Sequence, residues 1–206
     1  METGLQGVIF DLDGTLIDSK LNFEAIRCDI GLPAGQPILE ALAGMPDGSD
    51  KQAALEILRR HELHGAEVAT PMPGVEQFLD ELDRRQILRA VLTRNSREST
   101  DIVLERLGLE FSPVLTREDA PPKPDPVGLL HVCREWQVSA RRVLFVGDFL
   151  FDLQAGRNAG MRTVLYARGA LPEYADQADF VIREFREAGP LIAGLCGDDQ
   201  GKADEF

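Results

Sequence analysis

Cationic side chains are scarce in this chain: 22 Lys and Arg stand against 35 Asp and Glu, a formal net charge of −13. A surface of that sign repels a nucleic-acid backbone or an anionic membrane unless its cations gather in one patch. No such run occurs, and Arg84-Arg85 and Arg141-Arg142 are isolated pairs. Cysteine is sparse too. Cys28, Cys133 and Cys196 are odd in number and far apart, which argues against a disulfide framework and against a Cys-x-x-Cys zinc site. Long apolar runs are missing, none approaching the roughly 20 residues that span a bilayer. The first residues, Met-Glu-Thr-Gly-Leu-Gln-Gly, lack the basic start and apolar core of a signal peptide. The expectation is a cytoplasmic protein that binds neither nucleic acid nor membrane, as monomer or dimer. What is present, 44% hydrophobic and 28% charged over 206 residues, suits one large domain or a domain carrying a small insertion.

Short apolar runs recur, each closed by a polar or glycine-containing turn: Val8-Ile9-Phe10, Ala90-Val91-Leu92, Val114-Leu115, Val143-Leu144-Phe145-Val146, Thr163-Val164-Leu165 and Phe180-Val181-Ile182. Runs without alternation suit strands buried on both faces of a parallel sheet. Helical stripes lie between them, as in Val75, Phe78, Leu79 and Leu82, and in Leu129, Val132, Cys133 and Trp136. Alternating strands and helices predict an α/β domain with crossover connections. The alternation breaks once. Residues 19–71 hold three helical stripes (Phe23, Ile26, Ile30; Ile38, Leu39, Leu42; Ala54, Leu55, Leu58) and no strand signal, bounded by the breakers around Thr70-Pro71-Met72-Pro73-Gly74. The expected division is an α/β core of residues 1–18 and 72–196, a helical insertion of residues 19–71, and a frayed tail of residues 197–206.

Four segments carry chemistry. Asp11-Leu12-Asp13-Gly14-Thr15 follows the first strand, placing two carboxylates and a sharp turn where open α/β sheets hold their ligands. Either Asp alone reads as a turn cap; the pair followed by Gly-Thr reads as a site. Thr93-Arg94-Asn95 ends the second strand, and Lys123 stands alone between prolines in Pro121-Pro122-Lys123-Pro124-Asp125-Pro126. Gly147-Asp148 ends the fourth strand, with Asp152 four residues on and Ala155-Gly156-Arg157-Asn158-Ala159-Gly160 opening a closely packed helix.

Together, and in this order, the segments resemble the four-motif signature of the haloacid dehalogenase superfamily, in its phosphatase branch and close to the phosphoglycolate phosphatases. The resemblance implies a Rossmann-like, doubly wound parallel sheet in the order 5-4-1-2-3, numbering the apolar runs along the chain, with the insertion as an all-helical cap. It implies that Asp11 is the nucleophile forming an aspartyl-phosphate. Asp13 then protonates the leaving alcohol and later deprotonates water. It implies a metal set of Asp11, Asp148 and the backbone carbonyl of Asp13, an oxygen-only site suited to Mg²⁺. On the same reading Thr93 and Lys123 would stabilise the phosphoryl oxygens, with Asn95 and Arg94 as further contacts and Gly14 allowing the sharp turn. Asp152 positions Lys123 or a metal-bound water. Phe149 departs from the pattern, since the family commonly has a small polar residue after Gly-Asp.

Remaining conspicuous residues read as structural. His61 and His64 lack a third ligand, His131 falls within a helix, and Cys133 and Trp136 lie on an apolar stripe. Lys20, Asn22 and Arg27 could meet a substrate or simply be solvated. The expected activity is Mg²⁺-dependent hydrolysis of a small phosphorylated metabolite, such as phosphoglycolate or a sugar phosphate. The alternatives are a phosphomutase on the same scaffold and a non-enzymatic phosphoacceptor domain, which would have no use for Asp13 or a cap.

Overall fold

The computed structural model describes residues 4–197. In chain order its elements are β1 (Gly7–Phe10), β2 (Ile17–Asp18), α1 (Phe23–Ile30), α2 (Ile38–Gly44), α3 (Ser49–Val68), β3 (Thr70–Pro71), α4 (Val75–Arg84), β4 (Leu88–Leu92), α5 (Arg97–Leu107), β5 (Val114–Leu115), α6 (Val127–Trp136), β6 (Val143–Gly147), α7 (Leu150–Asn158), β7 (Arg162–Tyr166), β8 (Phe180–Ile182) and α8 (Ala188–Cys196). The chain groups into two compact units. One comprises residues up to Ile17, Pro71–Arg94 and Glu110 onward; the other comprises Asp18–Thr70 and Asn95–Leu109.

The first unit is a six-stranded sheet in the order β5-β4-β1-β6-β7-β8, every adjacent pair parallel. It is the expected order, with β8 added beyond β7. All of β1 and β6 is buried because helices cover both faces, which is why these strands read as unbroken apolar runs. On one face, Ile9, Ala90, Leu92 and Phe145 pack with Leu129, Val132 and Cys133 of α6. On the other, Phe10 meets Phe78 and Phe185 at ring-centre distances of 6.1 and 6.4 Å, and Tyr166 stacks on Phe185 at 4.9 Å. Val75, Phe78, Leu79 and Leu82 of α4 are all buried, as their spacing predicts.

The second unit is helical. Ile26, Ile38, Leu42, Ala54 and Leu58 form its core, drawn from α1, α2 and α3. Phe23 and Leu55, members of the same sequence stripes, are exposed. The Asn22 side chain caps α1 by accepting from the Ala25 N–H at 3.0 Å, and Gly31 closes it in the left-handed conformation at φ 84°. Helix α5 joins this unit through side chains: Arg59 forms a two-pronged pair with Glu98 (2.8 and 2.7 Å), and Arg106 donates to the carbonyls of Ala66 and Ala69 at the end of α3. Gly197 ends α8 at φ 85°; the rest of the expected tail lies outside the described residues.

Candidate active site

The sheet register sets the site. Phe10 lies opposite both Val91 and Val146, so Asp11, the next residue, comes level with the carboxyl ends of β4 and β6. Its N–H donates to the Val146 carbonyl at 2.8 Å, which holds the residue to the sheet edge although the strand has ended. Asp148 follows the end of β6, and Asp152 lies one turn into α7. Carboxylate oxygens of Asp11, Asp148 and Asp152 lie within 4.8 Å of one another.

Lys123 reaches this group from the proline-rich loop before α6 and is only 5% exposed. Its ammonium donates to Asp11 and to the Leu92 carbonyl (3.3 Å), and pairs with Asp152 at 2.6 Å. Two glycines make the approach possible. Gly14 adopts φ 85°, and a Cβ there would collide with the Asp148 carboxylate; a Cβ at Gly147 would strike Asp152. The Thr15 hydroxyl donates to Asp148 Oδ1 at 3.4 Å. Thr93 is buried with its N–H on the Leu115 carbonyl at 2.9 Å. Thr93, Arg94 and Lys123 line one small cavity of about 10 Å³.

Comparison with known proteins decides what family this geometry represents. The profile described as haloacid dehalogenase-like hydrolase matches residues 8–166. The chain belongs to that family. A haloacid dehalogenase-like hydrolase domain-containing protein of Arabidopsis thaliana is 36% identical over 177 residues, covering 80% of this chain and 71% of that protein. An N-acetylmuramic acid 6-phosphate phosphatase of Pseudomonas aeruginosa is 31% identical over 187 residues, covering 80% and 83%. Among solved structures, a haloacid dehalogenase-superfamily hydrolase of Geobacter sulfurreducens superposes with TM-score 0.67 at 28% identity, covering 92% of this chain and 97% of that one. The protein is a haloacid dehalogenase-like hydrolase.

The electrostatics of this hydrolase follow from its crowding. Burial pushes the Asp11 carboxyl well above the usual carboxylate range; Lys123 opposes this, while Asp152 and Asp148 add to it. Asp148 is pushed up to about 7, by burial first and then by the charges of Asp152 and Asp13 against that of Lys123. Burial works against the Lys123 charge, but Asp11 and Asp152 overcome it and hold the ammonium above its ordinary range. Three carboxylates thus surround one ammonium, and the group is short of positive charge. Hard oxygen donors with an unbalanced negative charge fit a divalent cation of the Mg²⁺ type.

Of the residues singled out from sequence, the structure brings Asp11, Lys123, Asp148, Asp152 and Gly14 into direct proximity. Asp13 bridges to Ile17 and its charge bears on Asp148, but its side chain is outside the group of three carboxylates. Asn95 belongs to the helical unit. Lys20, Asn22 and Arg27 are engaged locally: Lys20 pairs with Asp18 at 2.5 Å, Asn22 caps α1, and Arg27 holds Glu24 (2.6 Å) and the Gln36 carbonyl (3.3 Å). His61 meets Asp29 at 2.8 Å and His64 is exposed. Burial pushes the Cys133 thiol up to about 11, in keeping with a core residue rather than a nucleophile. Sequence reasoning gave no role to the Thr15 hydroxyl, which the Gly-Thr pair signals, nor to Tyr174, whose hydroxyl donates to the Asp148 carbonyl at 3.3 Å and which no motif announces. Among the described residues no helix is long and apolar enough to cross a membrane.

Proposed function

We propose that the protein is a Mg²⁺-dependent phosphatase that hydrolyses a small-molecule phosphomonoester through an aspartyl-phosphate on Asp11. The observation that carries this reading is the buried group in which Lys123 joins Asp11 and Asp152 while Asp148 stands beside them. Asp11 and Asp148, with the Asp13 backbone carbonyl, would hold the cation. When bound, it would supply positive charge that offsets the phosphoryl oxygens.

The steps assigned to the protein's own residues balance. An Asp11 oxygen attacks phosphorus, the phosphorus–oxygen bond to the alcohol breaks, and Asp13 gives the departing oxygen its proton. Asp13 then takes a proton from water as that water attacks phosphorus, and the bond to Asp11 breaks to release phosphate. Lys123, fixed from two sides by carboxylates, presents its charge to the phosphoryl oxygens without needing to reorganise, and the Thr93 hydroxyl donates to them. Asp152 is a positioning residue acting through Lys123. The substrate class is a phosphorylated small metabolite, and the N-acetylmuramic acid 6-phosphate phosphatase among the relatives favours a sugar phosphate within it.

The test is phosphate release from a panel of phosphomonoesters, combined with borohydride trapping of an acyl phosphate. Turnover is expected with Mg²⁺ and none in excess EDTA, with the trapped label on Asp11. Asp11→Asn abolishes both turnover and trapping. Full turnover in EDTA, or label on another residue, would overturn the reading.

A further inference from the structure

The loop after β6 turns an aromatic side chain to solvent beside the carboxylates. Phe149, next to Asp148, is 51% exposed. Its ring is nonetheless held, edge-on to Phe151 at 5.3 Å and to Tyr174 at 6.0 Å. Two members of this cluster are bonded to the acidic group. The Phe149 N–H donates to Asp152 Oδ2 at 3.0 Å, and the Tyr174 hydroxyl donates to the Asp148 carbonyl. The Arg94 guanidinium, adjoining Thr93, lies 5.6 Å from the Phe151 ring centre. Edge-on ring pairs favour fixed mutual angles and contribute about 0.5–1.5 kcal/mol each beyond the area they bury. A single exposed Phe on a protein surface calls for no explanation. One of three interlocked rings, bonded at two points to the acidic group, is a built surface.

The chemistry of the rings decides what such a surface can take. They are uncharged, and the charges nearest them are mixed, with Asp148 and Asp152 on one side and Arg94 beside Phe151 on the other. The C–H face or π-face of a substrate ring packs favourably on an aromatic ring, and an open chain offers no such face. We propose that Phe149, braced by Phe151 and Tyr174, is a specificity-determining contact for the leaving alcohol, selecting phosphomonoesters whose alcohol bears a ring over open-chain ones. The proposal rests on the phosphatase reading above and narrows its substrate class.

Measuring kcat/KM with Mg²⁺ for the wild type, Phe149→Ser and Phe149→Tyr tests it, using glucose 6-phosphate and phenyl phosphate as ring esters and glycerol 3-phosphate and phosphoglycolate as open-chain esters. The wild type is expected to favour the ring esters. Phe149→Ser lowers the ratio of ring to open-chain kcat/KM by about 3–10-fold, mainly through KM, which is the effect of one lost ring contact. Phe149→Tyr, which keeps the ring, restores the ratio. Better use of glucose 6-phosphate assigns the contact to a saturated sugar ring and better use of phenyl phosphate to an aromatic one; each supports the proposal. An unchanged ratio in Phe149→Ser, or a wild type that prefers the open-chain esters, overturns it. A wild type that releases phosphate from none of the four and traps no acyl phosphate overturns the phosphatase reading itself, an outcome distinct from an active but unselective enzyme.

Discussion

Lys123 shows how one side chain can hold a charged site together. Its side chain is 4% exposed, against 10% for Asp11 and 3% for Asp152, so all three groups have left water. The arrangement survives because each charge meets another at hydrogen-bond distance; removing one partner strands the rest, at a cost of about 3–5 kcal/mol for a buried pair. Lys123→Met is therefore expected to lower unfolding free energy by roughly that amount at neutral pH. Urea unfolding at pH 7.5 and pH 5 checks it. The deficit should shrink at the lower pH, where Asp11 can take a proton in place of the missing ammonium, and a deficit that grows toward acid would contradict this account. Phosphate release should also fall by at least about 10²-fold, the usual loss of one preorganised donor to a transferring group. Of this site, Asp11, Asp148 and Lys123 were legible in the sequence because motif order and strand ends announce them. Tyr174 was not, because it arrives from a loop after β7 and is recognisable only by the distance from its hydroxyl to the Asp148 carbonyl.

The secondary-structure elements were legible where burial is uniform. β1 and β6 declare themselves as apolar runs, and the α4 stripe predicts its four buried residues. Spacing fails where a stripe is wider than the contact that covers it, as with the exposed Phe23 and Leu55. Equally silent is the membership of α5 in the helical unit, which rests on Arg59 and Glu98, partners 39 residues apart that no local pattern links. Helix ends give a sharper reading. Helix α6 stops at Gln137, which adopts φ 58° with its N–H on the Arg134 carbonyl at 3.2 Å, whereas α1, α5 and α8 place glycine at the same position. A non-glycine side chain in this conformation brings its Cβ against the following carbonyl, at about 1–2 kcal/mol. Part of that is offset because glycine loses more chain entropy on folding. Gln137→Gly is expected to stabilise the protein by about 0.5–1 kcal/mol, and Gln137→Ala to do much less. Denaturant midpoints of the two variants at equal slope decide it, and a destabilised Gln137→Gly would show that the exposed Gln137 side chain makes a contact of its own.

For the molecule as a whole, the acidic balance and the acidic site act in the same direction. With a formal charge of −13, the folded state repels itself more as pH rises. Asp148 adds a specific contribution: its carboxyl titrates near 7 in the folded protein and near 4 when unfolded. Between those values the folded state binds the extra proton, so the stability it confers is complete below about pH 4 and is lost as pH rises through about 7. Asp11, raised in the same sense, reinforces this. Lys123 does not enter, since its raised value lies above this range. On the proposed reading, Mg²⁺ competes with these protons for the same oxygens. Each proton it must displace weakens binding tenfold, or about 1.4 kcal/mol, per pH unit below the folded-state value. The melting temperature with Mg²⁺ minus that without it should therefore widen from pH 5 to about pH 7.5 and then level. Using the difference removes the general self-repulsion, which is present in both samples. In Asp148→Asn the widening should be much reduced, because one competing proton and one ligand charge are gone together. A difference that is flat across this range, or largest at pH 5, would mean that the cation stabilises the fold from somewhere other than these carboxylates.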